Sequence, residues 1–350
     1  MSGRRGISRR SLIAGAGAVA AVSATGVAAA SPAAAAGWWG YGNLVQAVTD
    51  GSWLYELAAL PNLGRVYAAN PWTGTADRRP RHTVKVINAA ADAVVGEIDL
   101  GAAGSPFGLT ANPETDVLYA GDQVFSKLVY RIDGRTNRVT ATADVGGEPR
   151  GLAVNTATNK LYVTLTNQGR VVVLDGATLA VEATIEIGPI EPAKVAVNSR
   201  TNTVYVSNAN RRGTDSSVTV IDGATNRITA TVPVDRYALG IAVNAADDRV
   251  YVSNYTSETL TVLDGRTLGV VGKAYVGGSP TGVEYNPVTK KVYVTNFEQK
   301  GAVTVVDDVT HAVTRLRVRT AALGLAVDVR SGAVYASSQT EGSVFQLDRL

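Results

Sequence analysis

The chain has 350 residues, of which 45% are hydrophobic and 18% are charged, so it can bury a substantial core. Its 36 Gly, 12 Pro and 14 Tyr favour strands and turns over helices, and the absence of Cys excludes a disulfide scaffold, a thiolate metal site and a Cys nucleophile. The formal net charge of +3 arises in the first 36 residues, and the rest holds 29 basic and 30 acidic residues. A general nucleic-acid or membrane-surface role therefore lacks an electrostatic basis.

The first 36 residues resemble an export signal. Four Arg lie within the first ten residues, an Ala- and Gly-rich stretch runs from Leu12 to Ala30, and Ala-x-Ala sequences end at Ala30 and Ala36, either of which is a candidate cleavage site. The hexapeptide Ser8–Ile13 resembles the twin-arginine consensus, whose machinery exports folded proteins. An uncleaved membrane anchor is the alternative, but Ala and Gly drive membrane insertion weakly. We therefore predict a secreted or extracytoplasmic protein, exported by the twin-arginine route, with no membrane span after signal removal.

A short repeat occurs seven times after residue 50. Its marker is a Tyr that follows an apolar residue, found at Tyr67, Tyr119, Tyr162, Tyr205, Tyr251, Tyr293 and Tyr335. The spacings run from 42 to 52 residues, which matches the four-stranded blade of a β-propeller rather than a helical repeat of about 34 residues. Eleven residues before the marker is an aligned position that is Gly in five repeats; its occupants are Glu56, Gly108, Gly151, Lys194, Gly240, Gly282 and Gly324.

The unit that starts at Gly240 shows how one repeat makes a blade. It predicts four short strands, Ile241–Val243, Val250–Ser253, Leu260–Leu263 and Val270–Val276, each bounded by Asn, Asp, Gly or Pro. The apolar runs are nearly continuous, as expected for sheets that neighbouring blades cover on both faces. We therefore predict an all-β protein, a seven-bladed β-propeller of four-stranded antiparallel blades.

An acidic residue recurs at the end of the third strand of six repeats. It is followed by Gly in four of them, and its positions are Asp133, Asp175, Asp222, Asp264, Asp307 and Asp348. A ring of carboxylates could suggest calcium. We instead predict Asx turns, because Asp accepts backbone N–H bonds in such turns and Gly adopts positive φ. We predict no metal site and no cofactor.

The seventh repeat ends at Leu350, two residues after Asp348, so the last blade has no fourth strand of its own. Residues Leu44–Thr49 align with a fourth strand. We predict that this N-terminal strand completes the C-terminal blade and closes the ring, which removes open sheet edges. Residues 37–350 then form one domain of about 314 residues, and we expect a monomer.

Several segments resemble the YVTN β-propeller-repeat family. They are Val204–Asn208, Val250–Asn254 and Tyr293–Asn296, together with Val220–Asn226 and Gly277–Gly282. The resemblance covers essentially the whole mature chain and implies the propeller fold. It implies no activity, because members are similar to surface-layer-associated, periplasmic and secreted propellers that share no catalytic motif. The repeats with Glu56 and Lys194 depart from the family pattern.

Irregular residues gather on one predicted face, where the four-to-one and two-to-three loops surround the channel mouth. At or just before the inner strands lie Tyr55, Glu56, Phe107, Arg150, Lys194, Arg236 and Tyr237. Two insertions, at 71–82 and 209–215, add Trp72, Arg78, Arg79, Arg81, His82, Arg211 and Arg212. Eight of these residues are basic. Because Arg offers a planar fork of donors to carboxylate, phosphate or sulfate, we predict that this face binds an anionic small molecule, a glycan or an acidic protein surface.

Glu56 and Lys194 carry charge where the other repeats have Gly. A buried or half-buried charge needs a partner, so we expect them to pair across the channel, through water or with a ligand. The aromatic residues Tyr55, Trp72 and Tyr237 would add stacking surfaces. The alternative is that the loop arginines face solvent and bind no ligand.

Catalytic motifs are scarce. The only two His are His82 and His311, which gives little support to a His cluster or a Ser-His-Asp triad. We therefore predict a non-catalytic secreted binding propeller. Two alternatives stay open: a lactonase- or lyase-type enzyme that acts on a sugar acid with Glu56 and Lys194 or Arg150, and a structural protein of the cell envelope.

Overall fold

The structure is a computed structural model. It describes residues 38–41, 43–47, 53–72, 80–101, 104–124, 126–210, 215–298, 302–318, 321–338 and 342–347, and for residues 38–47, 80 and 81 it describes only the backbone. The predicted export segment, residues 1–36, lies outside the described residues. So do Asp348 and four predicted site residues, Arg78, Arg79, Arg211 and Arg212.

The described strands form seven sheets. Two strands, β1 (Trp38–Tyr41) and β2 (Asn43–Ala47), precede the first blade. The first blade contains β3 (Leu57–Leu60), β4 (Arg65–Trp72), β5 (Pro80–Asn88) and β6 (Ala93–Asp99). The second contains β7 (Pro106–Asn112), β8 (Val117–Asp122), β9 (Leu128–Asp133) and β10 (Arg138–Asp144). The third contains β11 (Pro149–Asn155), β12 (Lys160–Leu165), β13 (Arg170–Asp175) and β14 (Val181–Glu186).

The remaining blades follow the same order. The fourth contains β15 (Glu191–Asn198), β16 (Thr203–Ala209), β17 (Ser216–Asp222) and β18 (Arg227–Val234). The fifth contains β19 (Ala238–Asn244), β20 (Arg249–Asn254), β21 (Thr259–Asp264) and β22 (Val270–Tyr275). The sixth contains β23 (Pro280–Asn286), β24 (Lys291–Asn296), β25 (Ala302–Asp307) and β26 (Val313–Arg317). The seventh contains β27 (Ala322–Val327), β28 (Val334–Ser338) and β29 (Ser343–Leu347).

The blades are arranged in a ring. Within each blade, consecutive strands pair in antiparallel fashion and the first strand is innermost. The inner strands β3, β7, β11, β15, β19, β23 and β27 each contact the next one, and β27 contacts β3 again. The seven-bladed propeller of antiparallel blades is therefore confirmed. Short 3₁₀ turns occur at Pro61–Leu63 and Thr166–Gln168, and no helix of the described segments has the length and apolar character needed to cross a membrane.

The N-terminal strands lie at the outer edges of two blades. β2 pairs antiparallel with β29, so that Asn43 is opposite Gln346 and Val45 is opposite Val344. β1 pairs parallel with β26 and makes the sixth blade five-stranded, an addition that the sequence analysis did not predict. That the β2 pairing is what holds the ring closed stays a prediction.

In the first four repeats, the marker Tyr joins two blades. All seven marker Tyr residues are buried in the second strand. The Tyr67 hydroxyl donates to the carbonyl of Gly134 in the next blade at 3.1 Å, and the Tyr119 hydroxyl donates to that of Gly176 at 2.7 Å. Burial raises the pKa of Tyr119 to about 12, so the phenol stays protonated as a donor. The Tyr-to-turn hydrogen bond therefore ties the second strand of one blade to the Asp-Gly turn of the next.

A hydroxyl two residues after the marker Tyr forms a second link. The Ser253 hydroxyl accepts the N–H of Gly240 at 2.9 Å and donates to the carbonyl of Thr281 in the next blade at 2.9 Å. Thr295 and Ser207 repeat this bridge, to Leu323 and Leu239. Each hydroxyl thus holds the backbone at the second residue of the inner strand of the next blade. This geometry explains why Ser or Thr follows Tyr-Val in the repeat.

The aspartates of the third-strand turns make the predicted Asx turns. Asp133 accepts the N–H groups of Arg135 at 2.9 Å and Thr136 at 2.8 Å. The Thr136 N–H is the main cause that lowers the pKa of the Asp133 carboxyl. The same pair of N–H bonds recurs at Asp175, Asp222, Asp264 and Asp307. The Asx interpretation is confirmed for these five residues, but the expected positive φ of the following Gly is wrong. The positive φ occurs instead at the residue four positions after each Asp, for example 56° at both Asn137 and Asn226.

Candidate functional site

The channel mouth is lined by one repeated position. A cavity of about 230 Å³ lies there, and most of its lining comes from the residue just before the aligned glycine position of each blade. Six blades contribute Tyr55, Phe107, Arg150, Leu239, Thr281 and Leu323. The hydroxyl bridges described above hold the carbonyls of four of these residues, including Tyr55, which accepts from Ser337. The repeat therefore fixes the backbone at the mouth, while the side chains there vary.

Aromatic rings form one side of the mouth. The ring centroids of Tyr55 and Phe107 are 4.4 Å apart at an interplanar angle of 60°. Trp72 packs edge-on against Phe107, with centroids 6.2 Å apart, but does not line the cavity. Gln123, which the sequence analysis did not single out, lines the cavity from the loop after β8. The first two blades thus give the mouth an aromatic edge with an amide beside it.

Glu56 and Lys194 form an ion pair across the channel. They belong to the first and fourth blades, about half a ring apart, and their side chains are 24% and 23% exposed. The pairing across the channel that we expected from the two replaced glycines is present. Both residues line the mouth cavity and also a deeper cavity of about 330 Å³. The pair therefore separates the mouth from the rest of the bore.

The deeper cavity, which we call the inner bore, is lined by the inner strands. Two residues after the aligned glycine position, the chain has small residues in six blades: Ala58, Thr110, Ala153, Ala196, Ala242 and Ala326. The sixth blade has Glu284 at this position, and its side chain lines the inner bore. Glu284 was not among the residues predicted from the sequence, although the change from Gly-x-Ala to Gly-x-Glu distinguishes this repeat from the others.

The environment of Glu284 keeps its carboxyl protonated near neutral pH. Its side chain is half-buried, and the accessible part faces the bore rather than bulk solvent. Burial raises the pKa of Glu284 to about 8; the negative charge of Glu56 raises it as well, and Lys194 lowers it. Two carboxyl groups and one ammonium group therefore share the bore.

Besides Trp72, three described residues of the predicted site lie outside both cavities. Arg236 is exposed, and Tyr237 adopts a φ of 60° and packs its ring against Tyr255, with centroids 5.2 Å apart. In this blade the mouth is lined by Leu239 instead, because only the residue just before Gly240 faces the cavity. The Nδ1 atom of His82 is hydrogen-bonded to the carbonyl of Gly104, also outside both cavities.

The basic character of the mouth rests on two described residues. Arg150 and Lys194 line the mouth cavity. Arg78, Arg79, Arg211 and Arg212 fall outside the described residues, and the Arg81 side chain is not described. Among the residues that the structure describes, no three His, Asp or Glu side chains are grouped so as to hold a metal ion.

Comparison with known proteins supports the fold. No protein-family model and no curated protein matches the chain. Among solved structures, it is similar to a chain of hydrazine synthase from Kuenenia stuttgartiensis, with a TM-score of 0.75 and 14% sequence identity over 86% of this chain and 96% of that chain. At this identity the likeness shows a shared fold and nothing about activity.

Proposed function

We propose that this protein is a non-catalytic binding propeller whose channel mouth receives a small anionic ligand. The observation that carries the proposal is the mouth cavity of about 230 Å³, where Arg150 and Lys194 meet an aromatic edge. A concave site of this size suits a small molecule better than the surface of an acidic protein. The guanidinium of Arg150 would hold a carboxylate, phosphate or sulfate through two parallel N–H bonds.

Lys194 can serve both the ion pair and the ligand. An ammonium group has three N–H donors, so its contact with Glu56 leaves donors that can turn toward the mouth. Gln123 and Thr281 supply neutral hydrogen-bonding groups on the same wall, and Tyr55 and Phe107 offer apolar surface to the body of the ligand. This combination favours an organic anion over a bare inorganic ion.

We also propose that the chain belongs to the YVTN β-propeller-repeat family and is exported as a folded monomer by the twin-arginine route. The family proposal is supported by the signature residues, since the Tyr and the Ser or Thr of the repeat link neighbouring blades. The export proposal is supported by the Arg-rich start and the Ala-x-Ala sequences of residues 1–36.

The binding proposal is tested with a thermal-shift screen of small carboxylates, phosphate esters and sulfates at low and high salt, followed by calorimetry of the best ligand. Arg150→Ala should weaken binding by roughly ten- to a hundredfold, because a charge-assisted hydrogen bond contributes about 1.5–3 kcal/mol. The matched control is Arg170→Ala, which removes an exposed cation of an outer strand that pairs with Glu186. If Arg150→Ala binds the ligand as tightly as the wild-type protein does, the ligand does not bind at the mouth as proposed.

A second candidate function is an acid–base enzyme of the lactonase or lyase class. The observation that favours it is a second acid in the bore: Glu284, whose raised pKa suits a general acid, lines the same cavity as Glu56. This function is supported if the protein turns over a sugar-acid lactone or a uronate and if Glu284→Gln abolishes turnover but keeps ligand affinity. That result would contradict the non-catalytic proposal. The purely structural alternative predicts no distinct pocket, and the two cavities count against it.

A further inference from the structure

Two consecutive residues break the repeat inside the bore. At the position of Glu284 the other six blades have Ala or Thr, and at the next position they have Ala or Val where the sixth blade has Tyr285. Both side chains line the inner bore. The Tyr285 ring stacks on the buried Tyr251, with centroids 5.7 Å apart and planes 13° apart, which holds it in place. Because successive side chains of a strand alternate faces, Tyr285 packs toward the fifth blade and Glu284 projects from the other face of β23. The Glu284 carboxyl group is thus fixed in a channel of small aliphatic residues.

The charges of the inner bore do not balance. The titratable groups that line it in the described segments are Glu56, Lys194, Glu284 and Tyr285. Lys194 forms its ion pair with Glu56. Glu284 has no hydrogen-bond or ion-pair partner among the described residues, and burial with the nearby Glu56 charge disfavours its ionised form. When all three charged side chains are ionised, the bore lacks one positive charge.

We propose that the inner bore binds a small organic ammonium ion, with Glu284 as its counter-ion. A carboxylate in an otherwise apolar cavity is stabilised by a bound cation that compensates its charge. The cavity of about 330 Å³ is large enough for a small ammonium ion. Leu57, Leu152 and Leu325 line the same cavity and supply aliphatic contacts.

This site is separate from the anion site at the mouth. The inner bore lies on the other side of the Glu56–Lys194 pair and extends along the inner strands to Pro61, Pro113 and Val329, which follow the ends of those strands at the opposite face. An ammonium ion can therefore enter from the opposite face. The repulsion by Lys194 is offset by Glu56, with which it pairs.

The test uses the full-length chain and two probes of matched shape, tetramethylammonium and tert-butanol, each titrated by calorimetry from about pH 6 to 9. The tetramethylammonium charge does not depend on pH, so a change in affinity reports the protein. With a Glu284 pKa of about 8, the affinity should rise about ninefold from pH 6 to 7 and less than twofold from pH 8 to 9. At pH 7, binding should release nearly one proton, measured in two buffers of different ionisation enthalpy.

Variants decide whether Glu284 is the counter-ion. Glu284→Gln should weaken tetramethylammonium binding at least about tenfold at pH 8 and abolish its pH dependence. Glu284→Ala, which restores the residue of five other blades, should do the same in a folded protein. Glu186→Gln is the control, since it removes an exposed carboxylate of an outer strand, and it should change nothing. Arg150→Ala should leave tetramethylammonium binding intact, which separates this site from the mouth.

Equal binding of tetramethylammonium and tert-butanol would overturn the proposal, and so would binding by Glu284→Gln that equals wild type. No detectable tetramethylammonium binding at any pH would overturn it too. Loss of anion binding in Arg150→Ala with unchanged tetramethylammonium binding would support both proposed sites. Tetramethylammonium binding in a protein that binds no anion would support the inner-bore site and contradict the proposed function.

Discussion

The seams between blades and the wall of the bore are built by the same strands under different constraints. In the seams, the same residue types recur because each makes the same contact with the next blade. At Gly282, for example, a Cβ atom would lie 2.6 Å from the carbonyl oxygen of Leu323 in the next blade, so a side chain does not fit. In the bore, charged residues replace Gly or Ala in three blades. The residues that recur in every repeat therefore stabilise the fold, and the residues that depart from the repeat place the charged groups in the bore.

The largest expected effect concerns the pairing of β2 with β29 in the seventh blade. A chain that starts at residue 48 lacks β2 and leaves the edge of β29 unpaired, whereas a chain that starts at residue 42 lacks only β1 and keeps four strands in every blade. We expect the shorter chain to unfold at a much lower temperature and to associate through its open edge. Calorimetry and light scattering of the two chains measure this. Equal stability would show that the β2 pairing does not hold the ring closed.

A buried marker tyrosine should contribute the next largest effect. Tyr119→Ala removes a fully buried ring and should lower the free energy of unfolding by about 3–5 kcal/mol. Tyr119→Phe removes only the hydrogen bond to Gly176 and should lower it by about 1–2 kcal/mol. Urea unfolding of both variants measures the difference. Two equal losses would mean that packing of the ring adds nothing to the seam.

Glu284 should make the stability of the protein depend on pH. Its folded-state pKa of about 8 lies above the ordinary value for Glu, so the folded state binds a proton that the unfolded state has lost. The stabilisation that protonated Glu284 contributes is therefore lost as pH rises from the ordinary Glu range to about 8, by at most about 1.4 kcal/mol per pH unit. The wild-type melting temperature should fall with pH relative to that of Glu284→Ala. Parallel curves for the two proteins would contradict this.

The ion pair across the bore should show a smaller coupling. Lys194→Ala leaves Glu56 near Glu284 without its cation, and Glu56→Ala leaves Lys194 without its anion. Because both side chains are about a quarter exposed, we expect each single variant to lose about 1–2 kcal/mol and the double variant to lose less than the sum. A double-mutant cycle by chemical denaturation measures the coupling. Strictly additive losses would show that the pair contributes no interaction energy.

The hydroxyl bridge should have the smallest effect. Ser253→Ala removes the bridge from Gly240 to Thr281 and should lower the free energy of unfolding by about 1 kcal/mol. Thr178→Ala, at an exposed turn, is a comparison that lies outside the seams. If both substitutions have the same effect, the bridge between blades is no stronger than a surface hydrogen bond.

The propeller can be predicted from the sequence because the residues that make the contacts between blades recur at the same positions of each repeat. The four strands predicted for the fifth blade all occur, and the last of them, predicted to end at Val276, ends at Tyr275. The parallel pairing of β1 was not predictable from the repeat, because an added strand at a sheet edge binds through backbone groups that all sequences share. The β2 strand was predicted at Leu44–Thr49 and begins one residue earlier, at Asn43.

The site residues were predictable only at the aligned Gly position, where a charged residue replaces Gly. Glu56 and Lys194 stand out because they replace Gly, and the structure pairs them. Glu284 replaces Ala two residues after the aligned Gly position. The other repeats have Ala or Thr there, which did not mark the position as part of a site. Arg236 and Tyr237 were expected at the mouth, but they precede Gly240 by more than one residue, and the turn directs Tyr237 toward Tyr255.

The most direct measurement is a carboxyl titration of Glu284 by carbon-13 NMR on protein labelled at Glu, with Glu284→Gln to assign the signal. We predict that Glu284 titrates with a pKa of about 8 in the free protein and at a lower pH in the presence of tetramethylammonium. A Glu284 carboxyl that titrates in the ordinary Glu range, or whose titration tetramethylammonium leaves unchanged, would contradict the account of the bore.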